Sequence, residues 1–227
     1  MYYRPHYSGL TIYTERLARA LAKRGHQVTV LTSRFDSKLQ SYEICDGVTV
    51  IRPNVMLKVS KGVIMPSLPF WAWKLIRQAD VVNAHVPQPD AAVISLLSKL
   101  LRKPSVLTYH CDLQLPKGFV HFLANQGSHL ANHISAKLSD VIVTNTLDYA
   151  QHSPFLSAYL DKVHPIPPPI ELLPVDPACI ETFRVKNKIQ PGQRIIGMAS
   201  RLATEKGVEY LVHAMPAVLD KFSTARV

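Results

Sequence analysis

The sequence predicts an α/β fold in which a mostly parallel sheet is flanked by helices. Short β-branched runs alternate with amphipathic stretches, which is the pattern of βα units. The 227 residues are 47% hydrophobic and 19% charged, enough to fill a sizeable core and too apolar for a disordered chain. No apolar run reaches the ~18 residues of a membrane span.

The elements follow in order. Leu10, Tyr13, Leu17 and Leu21 recur at helical spacing, with Glu15, Arg16, Arg19 and Lys23 on the other side, and Gly25 stops the helix. Strands are expected at Val28–Leu31, Val48–Ile51 and Val81–Ala84. Asp90 is expected to cap a helix running to about Leu101. Ser105–Tyr109 reads as a strand, Phe119–Leu138 as helix and Val141–Thr144 as a further strand. Leu147–Leu160 reads as helix broken near Pro154, and Val163–Ile166 as a short strand. Six prolines from Pro165 to Pro177 then mark a connector. Beyond it come a helical piece at Glu181–Lys188, a turn at Pro191–Gly192, a strand at Arg194–Met198 and a helix from Val208 to Lys221. The expected division is residues 1–166, connector 167–190 and a second domain begun at 191–227. The chain opens on the glycine loop Tyr7-Ser8-Gly9, where a βα domain would already have completed a strand. Both ends therefore read as cut, and the first domain is expected to be one parallel layer without its first strand.

Lys and Arg number 26 against 16 Asp and Glu, a net charge of +10 that favours anionic partners. The cations are dispersed and no nucleic-acid motif appears, so nucleic acid is not expected as a partner. Cys45, Cys111 and Cys179 form neither a zinc spacing nor a disulfide framework, which suits a reducing compartment. P-loop, dinucleotide and nucleophile-elbow signatures are absent, as is an Asp-x-Asp pair for a metal diphosphate.

The segment Gly197-Met-Ala-Ser-Arg201-Leu-Ala-Thr-Glu-Lys206-Gly207 carries the most chemistry. A strand end, two cations across a loop and a glycine opening a helix can surround a diphosphate. The plainer reading is two solvated surface cations.

This segment resembles the "G-R-x-x-x-x-K-G" signature of the retaining, two-domain group 1 or family 4 glycosyltransferases. Tyr7-Ser8-Gly9-Leu10 and Arg24-Gly25-His26-Gln27-Val28 resemble that family's glycine loop and its entry to the second strand. Asp80-Val-Val-Asn-Ala-His85 and Val106-Leu-Thr-Tyr-His110-Cys-Asp112 are similar to its strands ending in histidine. Ser139–Thr144 and Lys162–Pro167 match later strands, so the resemblance covers nearly the whole chain.

The resemblance implies a GT-B architecture: a Rossmann-like acceptor-side domain, followed here by the first βα unit of a Rossmann-like donor domain. It implies sugar transfer with retention from a nucleotide-diphosphate-sugar to a lipid or glycan acceptor, with no cofactor and no metal. His110, Arg201 and Lys206 are then the catalytic candidates. Ser8 and Gly9, with Arg201 and Lys206, would bind the donor phosphates, and His85 and Asp112 the acceptor. The chain departs from the family in having Ser8 where a second glycine is common. It also has Pro167-Pro168-Pro169-Ile170-Glu171 in place of a flexible connector. The family's glutamate pair that grips the donor has no counterpart at its spacing, so these 227 residues alone are expected to be inactive.

His121, His129 and His133 fall on one helix, but no neighbouring glutamate supports a metal site there. Val55–Arg77 interleaves Met56, Leu57, Phe70, Trp71 and Trp73 with Lys58, Lys61, Lys74 and Arg77. That mixture suits either an ordinary core segment or contact with an anionic bilayer, hence a cytoplasmic protein peripheral on the inner face of the membrane. The alternative to an enzyme is a non-catalytic remnant that binds an acceptor or such a membrane.

Overall fold

The computed structural model describes residues 2–59, 62–112, 119–172 and 174–227, with backbone alone at 59, 119–124 and 205. Lys61 and the His121 side chain therefore lie outside the described residues. The chain divides into two compact units, Met1–Glu171 and Leu172–Val227.

In the first unit, helix α1 spans Gly9–Lys23 and strand β1 Val28–Leu31. Ser8 and Thr11 form a capping box that starts α1, each side chain taking the other's backbone N–H. Gly25 leaves the helix at φ 89°, which a side chain would resist. Strands β2 (Tyr42–Cys45) and β3 (Val48–Ile51) are joined by Asp46-Gly47, both at positive φ, as a tight hairpin requires. Strands β4 (Leu57–Val59) and β5 (Gly62–Ile64) form a second hairpin, followed by helix α2 (Leu68–Gln78).

The alternation then becomes regular: β6 (Val82–Val86), α3 (Asp90–Leu100), β7 (Ser105–Tyr109), α4 (Phe119–Leu138), β8 (Val141–Thr144) and α5 (Leu147–His152). A 3-10 turn over Leu156–Lys162 leads into β9 (Val163–Pro165). Pro89, not Asp90, holds the cap position of α3; Asp90 is its first helical residue, an acid at the positive end of the helix dipole. α5 stops at His152, two residues before Pro154, where the missing proline N–H ends the ladder.

Strands β6-β7-β8-β9 make a wholly parallel sheet in that order, the topology expected of a Rossmann-like layer with helices against it. Ala84, Val86, Leu107, Tyr109, Ile142, Phe155 and Leu156 form its core. The expected single layer is, however, divided: besides the β4–β5 hairpin there are two larger sheets. β1, β3 and β2 form a separate one in which β2 runs antiparallel to β3. β1 and β6 are both edge strands, and among the described residues no strand bridges them; residues 2–8 hold a turn, a bend and irregular chain. Tyr3 instead packs on Ala18, Val48 and Val50.

Two side chains close the parallel sheet. The Asp140 carboxylate accepts the Ser105 N–H at 2.8 Å, fixing where β7 begins. The Lys162 ammonium donates to the carbonyls of Ala136, Lys137 and Ser139 at 3.2, 2.9 and 3.0 Å, capping the C-terminus of α4.

The second unit holds helix α6 (Pro177–Lys186) and helix α7 (Val208–Lys221), neither with a buried residue. α6 begins earlier than its apolar pattern indicates because Asp176 accepts the Ala178 N–H at 2.9 Å and Pro177 takes the first turn. Arg194–Met198, expected as a strand, is not one: Ile195 makes a single parallel bridge to Arg226. A strand needs a partner ladder and a buried face, and in this unit Ala225 alone is buried among the described residues.

Candidate functional site

The candidate site is built where β6 and β7 end. The strands run parallel with His85 opposite Thr108, so His110 lies just beyond the C-terminal end of β7. The His110 N–H donates to the Val86 carbonyl at 3.1 Å, extending the ladder by one step. That step sets the two imidazoles side by side. Their centroids are 5.3 Å apart, their planes differ by 13°, and His85 Nδ1 stands 3.0 Å from His110 Nε2. Tyr13 of α1 closes one side. Its ring meets His110 edge to face at 4.7 Å and 87°, and His85 at 6.0 Å and 73°.

Burial keeps both histidines neutral. It pushes His85 down to about 3, with the neighbouring His110 adding to the shift, and pushes His110 down to about 4. A pair of neutral imidazoles offers hydrogen bonds to hydroxyl groups rather than a fixed charge. Open α/β sheets bind ligands at this position, outside the carboxyl ends of their strands.

Asp112 lies two residues further on, and its carboxylate turns to the protein. Oδ1 accepts from the hydroxyls of Tyr109 and Ser153, each at 2.9 Å, and Oδ2 from Tyr149 at 2.7 Å. The geometry makes it an anchor for the segment that follows His110.

Ser8 and Gly9 open α1, one turn before Tyr13, a rise of about 6 Å along the axis. The Ser8 hydroxyl is occupied by capping, accepting the Thr11 N–H at 3.2 Å. Gly9 is exposed, and a Cβ built there would meet nothing within 4 Å. The fold itself therefore sets no steric demand for glycine at this position.

Arg201 and Lys206 belong to the second unit. Both are exposed, and Lys206 ends a 3-10 turn over Thr204–Lys206. Gly207 follows at φ 62° and opens α7; a Cβ on it would come within 3.0 Å of the Tyr210 ring. Glycine is thus required to turn the chain from the cation loop into the helix. The structure brings His85 and His110 together and sets Tyr13 against them, while the two cations stand on their own loop.

Among the described residues no group of three or more His, Cys, Asp or Glu could hold a metal ion. His133 Nδ1 lies 2.8 Å from the Tyr159 hydroxyl, and its ring packs on Phe155, so this exposed histidine covers the edge of the core. Sequence reasoning missed Tyr13, which periodicity records only as an apolar helix position. It also missed Arg16 and Arg19. Arg16 donates to the Pro169 carbonyl at 3.3 Å and Arg19 pairs with Glu171 at 3.7 Å, tying the start of the connector to α1.

The sequence model of Glycosyltransferase Family 4 matches residues 7–172. Over 236 aligned residues the chain is 25% identical to an uncharacterized glycosyltransferase of Methanocaldococcus jannaschii, covering 96% of this chain and 58% of that protein. The crystal structure of HepE from Anabaena, in complex with UDP and glucose, matches with a TM-score of 0.60 at 17% identity. That match covers 92% of this chain and 54% of HepE, so the chain spans somewhat more than half the length of both proteins.

Proposed function

The chain belongs to glycosyltransferase family 4, and from that premise we propose that it serves transfer of a sugar, with retention, from a nucleotide-diphosphate-sugar to a lipid or glycan acceptor. The observation that carries the reading is the neutral His85–His110 pair at the ends of β6 and β7, beside the helix that the glycine loop opens.

The residues divide the work as follows. His110 and His85 hydrogen-bond sugar or acceptor hydroxyls and orient them. Gly9 leaves room for the donor phosphates at the N-terminus of α1, where the helix dipole favours anions. Arg201 and Lys206 stabilise the diphosphate as it departs, a task that fixed cations and helix dipoles perform without a metal. Asp112 holds the strand-end segment against Tyr109, Tyr149 and Ser153.

Ligand-detected NMR titration with a panel of nucleotide sugars tests the proposal. Saturable binding of at least one, weakened by Arg201→Ala, is the expected outcome. Equal binding of nucleotide sugars and free sugars would remove the donor role.

A second reading concerns location: a cytoplasmic protein peripheral on an anionic membrane. Met56, Leu57, Ile64, Phe70 and Trp73 are exposed on the β4–β5 hairpin and α2. Lys58, Lys74 and Arg77 are exposed beside them, and no acidic residue occurs between Asp46 and Asp80. Among the described residues no helix is long and apolar enough to cross a membrane.

A further inference from the structure

We propose that His85 is a positioning residue: it holds His110 with Nε2 turned into the protein, so that His110 meets its ligand through Nδ1. The inference rests on the reading of His110 as a ligand-facing residue and adds which nitrogen does the facing, and what decides it.

The argument starts from proton counting. Two ring nitrogens 3.0 Å apart form a hydrogen bond only if one carries a proton and the other a lone pair. Either His85 Nδ1–H donates to His110 Nε2, or His110 Nε2–H donates to His85 Nδ1. In both cases His110 is held in one tautomer with Nε2 consumed.

Three contacts fix the rings so that the bond cannot rotate away. The backbone N–H of His110 is bound to Val86. The backbone of His85 is held in β6, paired in register with Thr108 of β7. Tyr13 stands edge-on to both rings. Burial keeps the pair neutral, so at neutral pH each ring carries one proton; two donors would face each other only with both rings doubly protonated.

This accounts for a histidine at position 85. Beside the edge of the Tyr13 ring, packing alone would accept an apolar side chain. A hydrogen bond that selects one tautomer of a neighbouring imidazole requires a polar atom where His85 places Nδ1. The side chain of asparagine sets a polar atom in nearly the same place, whereas leucine does not.

The test is long-range ¹⁵N–¹H NMR of the imidazoles in the 227-residue chain at neutral pH, for wild type, His85→Asn and His85→Leu. In the wild type, His110 should show one pure tautomer, with its two ring nitrogens at the protonated and unprotonated extremes. His85→Asn should keep that pattern. His85→Leu should average the two nitrogens. An averaged His110 in the wild type overturns the proposal without any variant, so misfolding of His85→Leu does not shield it. An unchanged His110 pattern in folded His85→Leu overturns it as well.

Addition of UDP-glucose to the wild type separates this inference from the functional reading. A shift at His110 Nδ1 with Nε2 unmoved supports both. A shift at Nε2 overturns the assignment of the ligand-facing nitrogen. A pure tautomer with no shift from any nucleotide sugar leaves His85 as the residue that orders His110 and sinks the donor-site reading alone.

Discussion

Tyr149 and Asp112 exchange two hydrogen bonds: the phenol donates to carboxylate Oδ2 at 2.7 Å and accepts the Asp112 backbone N–H at 2.8 Å. The residues are 37 apart in sequence, so this pair joins the start of α5 to the segment after β7. Because Tyr109 and Ser153 share the same carboxylate, Asp112→Ala strands three hydroxyl donors. A hydrogen bond to a charged group is worth roughly 1.5–3 kcal/mol, and linked bonds do not add fully. Asp112→Ala should therefore lower unfolding free energy by about 3 kcal/mol, and Tyr149→Phe by about half of that. Urea denaturation measures both, and a Tyr149→Phe loss larger than that of Asp112→Ala would contradict the assignment.

The same pair sets behaviour in alkali. Burial, then the bond to Asp112, raises the phenol pKa values of Tyr109 and Tyr149, and burial pushes Tyr3 up to about 12. An unfolded tyrosine ionises near about 10. A folded value raised above that gives stability that is complete below about pH 10 and is lost as pH rises through the folded values. Tyrosinate absorbance from these three should thus appear together with loss of far-ultraviolet circular dichroism. Full ionisation of Tyr109 and Tyr149 while the chain stays folded would refute the hydrogen-bonded picture.

The parallel sheet was legible because its two central strands, β7 and β8, are largely buried. Ser105–Tyr109 and Val141–Thr144 read directly as β-branched and apolar runs. β2 was not, since Tyr42-Glu-Ile-Cys45 is exposed and half polar; the Asp46-Gly47 turn was the signal that could have found it. Arg194–Met198 has the composition of a strand but gains only a bridge to Arg226, because pairing depends on neighbours that composition does not reveal. His85 and His110 could be singled out at their strand ends. Their contact could not, because it needs the register that sets His85 opposite Thr108. Tyr13 was hidden by its own burial, since an aromatic on the inner face of a helix looks like core.

Acid should act through the histidine pair. His85 and His110 have folded values of about 3 and about 4, depressed chiefly by burial, against about 6.5 for a free imidazole. Below about pH 6.5 the unfolded chain binds protons that the folded chain refuses, so stability falls as pH drops toward 4. Urea midpoints should decline over that window. The double variant His85→Leu, His110→Phe should flatten the decline. An equal slope in the double variant would show that other groups carry it.

The exposed hairpin and α2 lead to a vesicle experiment. Phe70 and Trp73 lie three residues apart on the outer side of α2, with Lys74 and Arg77 beside them. Co-sedimentation should rise with the anionic lipid content of the vesicles and fall with salt, since surface charges are screened within ~10 Å at 0.1 M ionic strength. Trp73→Ser with Phe70→Ser should weaken binding even at low salt. Equal binding to neutral and anionic vesicles would count against the electrostatic part.

The cations of the second unit should matter to chemistry and not to folding. Arg201 and Lys206 are exposed, so neither holds a core together, and Gly207 turns the chain from their loop into α7. As the bond between sugar and phosphate breaks, negative charge grows on the diphosphate, and a cation held in place stabilises that state more than the ground state. Removing one preorganised partner of this kind typically costs about 2.7–4 kcal/mol, or about a hundredfold to a thousandfold in rate. In a preparation that turns over a nucleotide sugar, Arg201→Ala and Lys206→Ala should each lower kcat by that factor, with the thermal midpoint unchanged. Gly207→Ala should behave differently: it strains a left-handed backbone and crowds Tyr210 at 3.0 Å, so it should lower the thermal midpoint as well as the rate. Wild-type turnover in both cation variants would remove them from the mechanism.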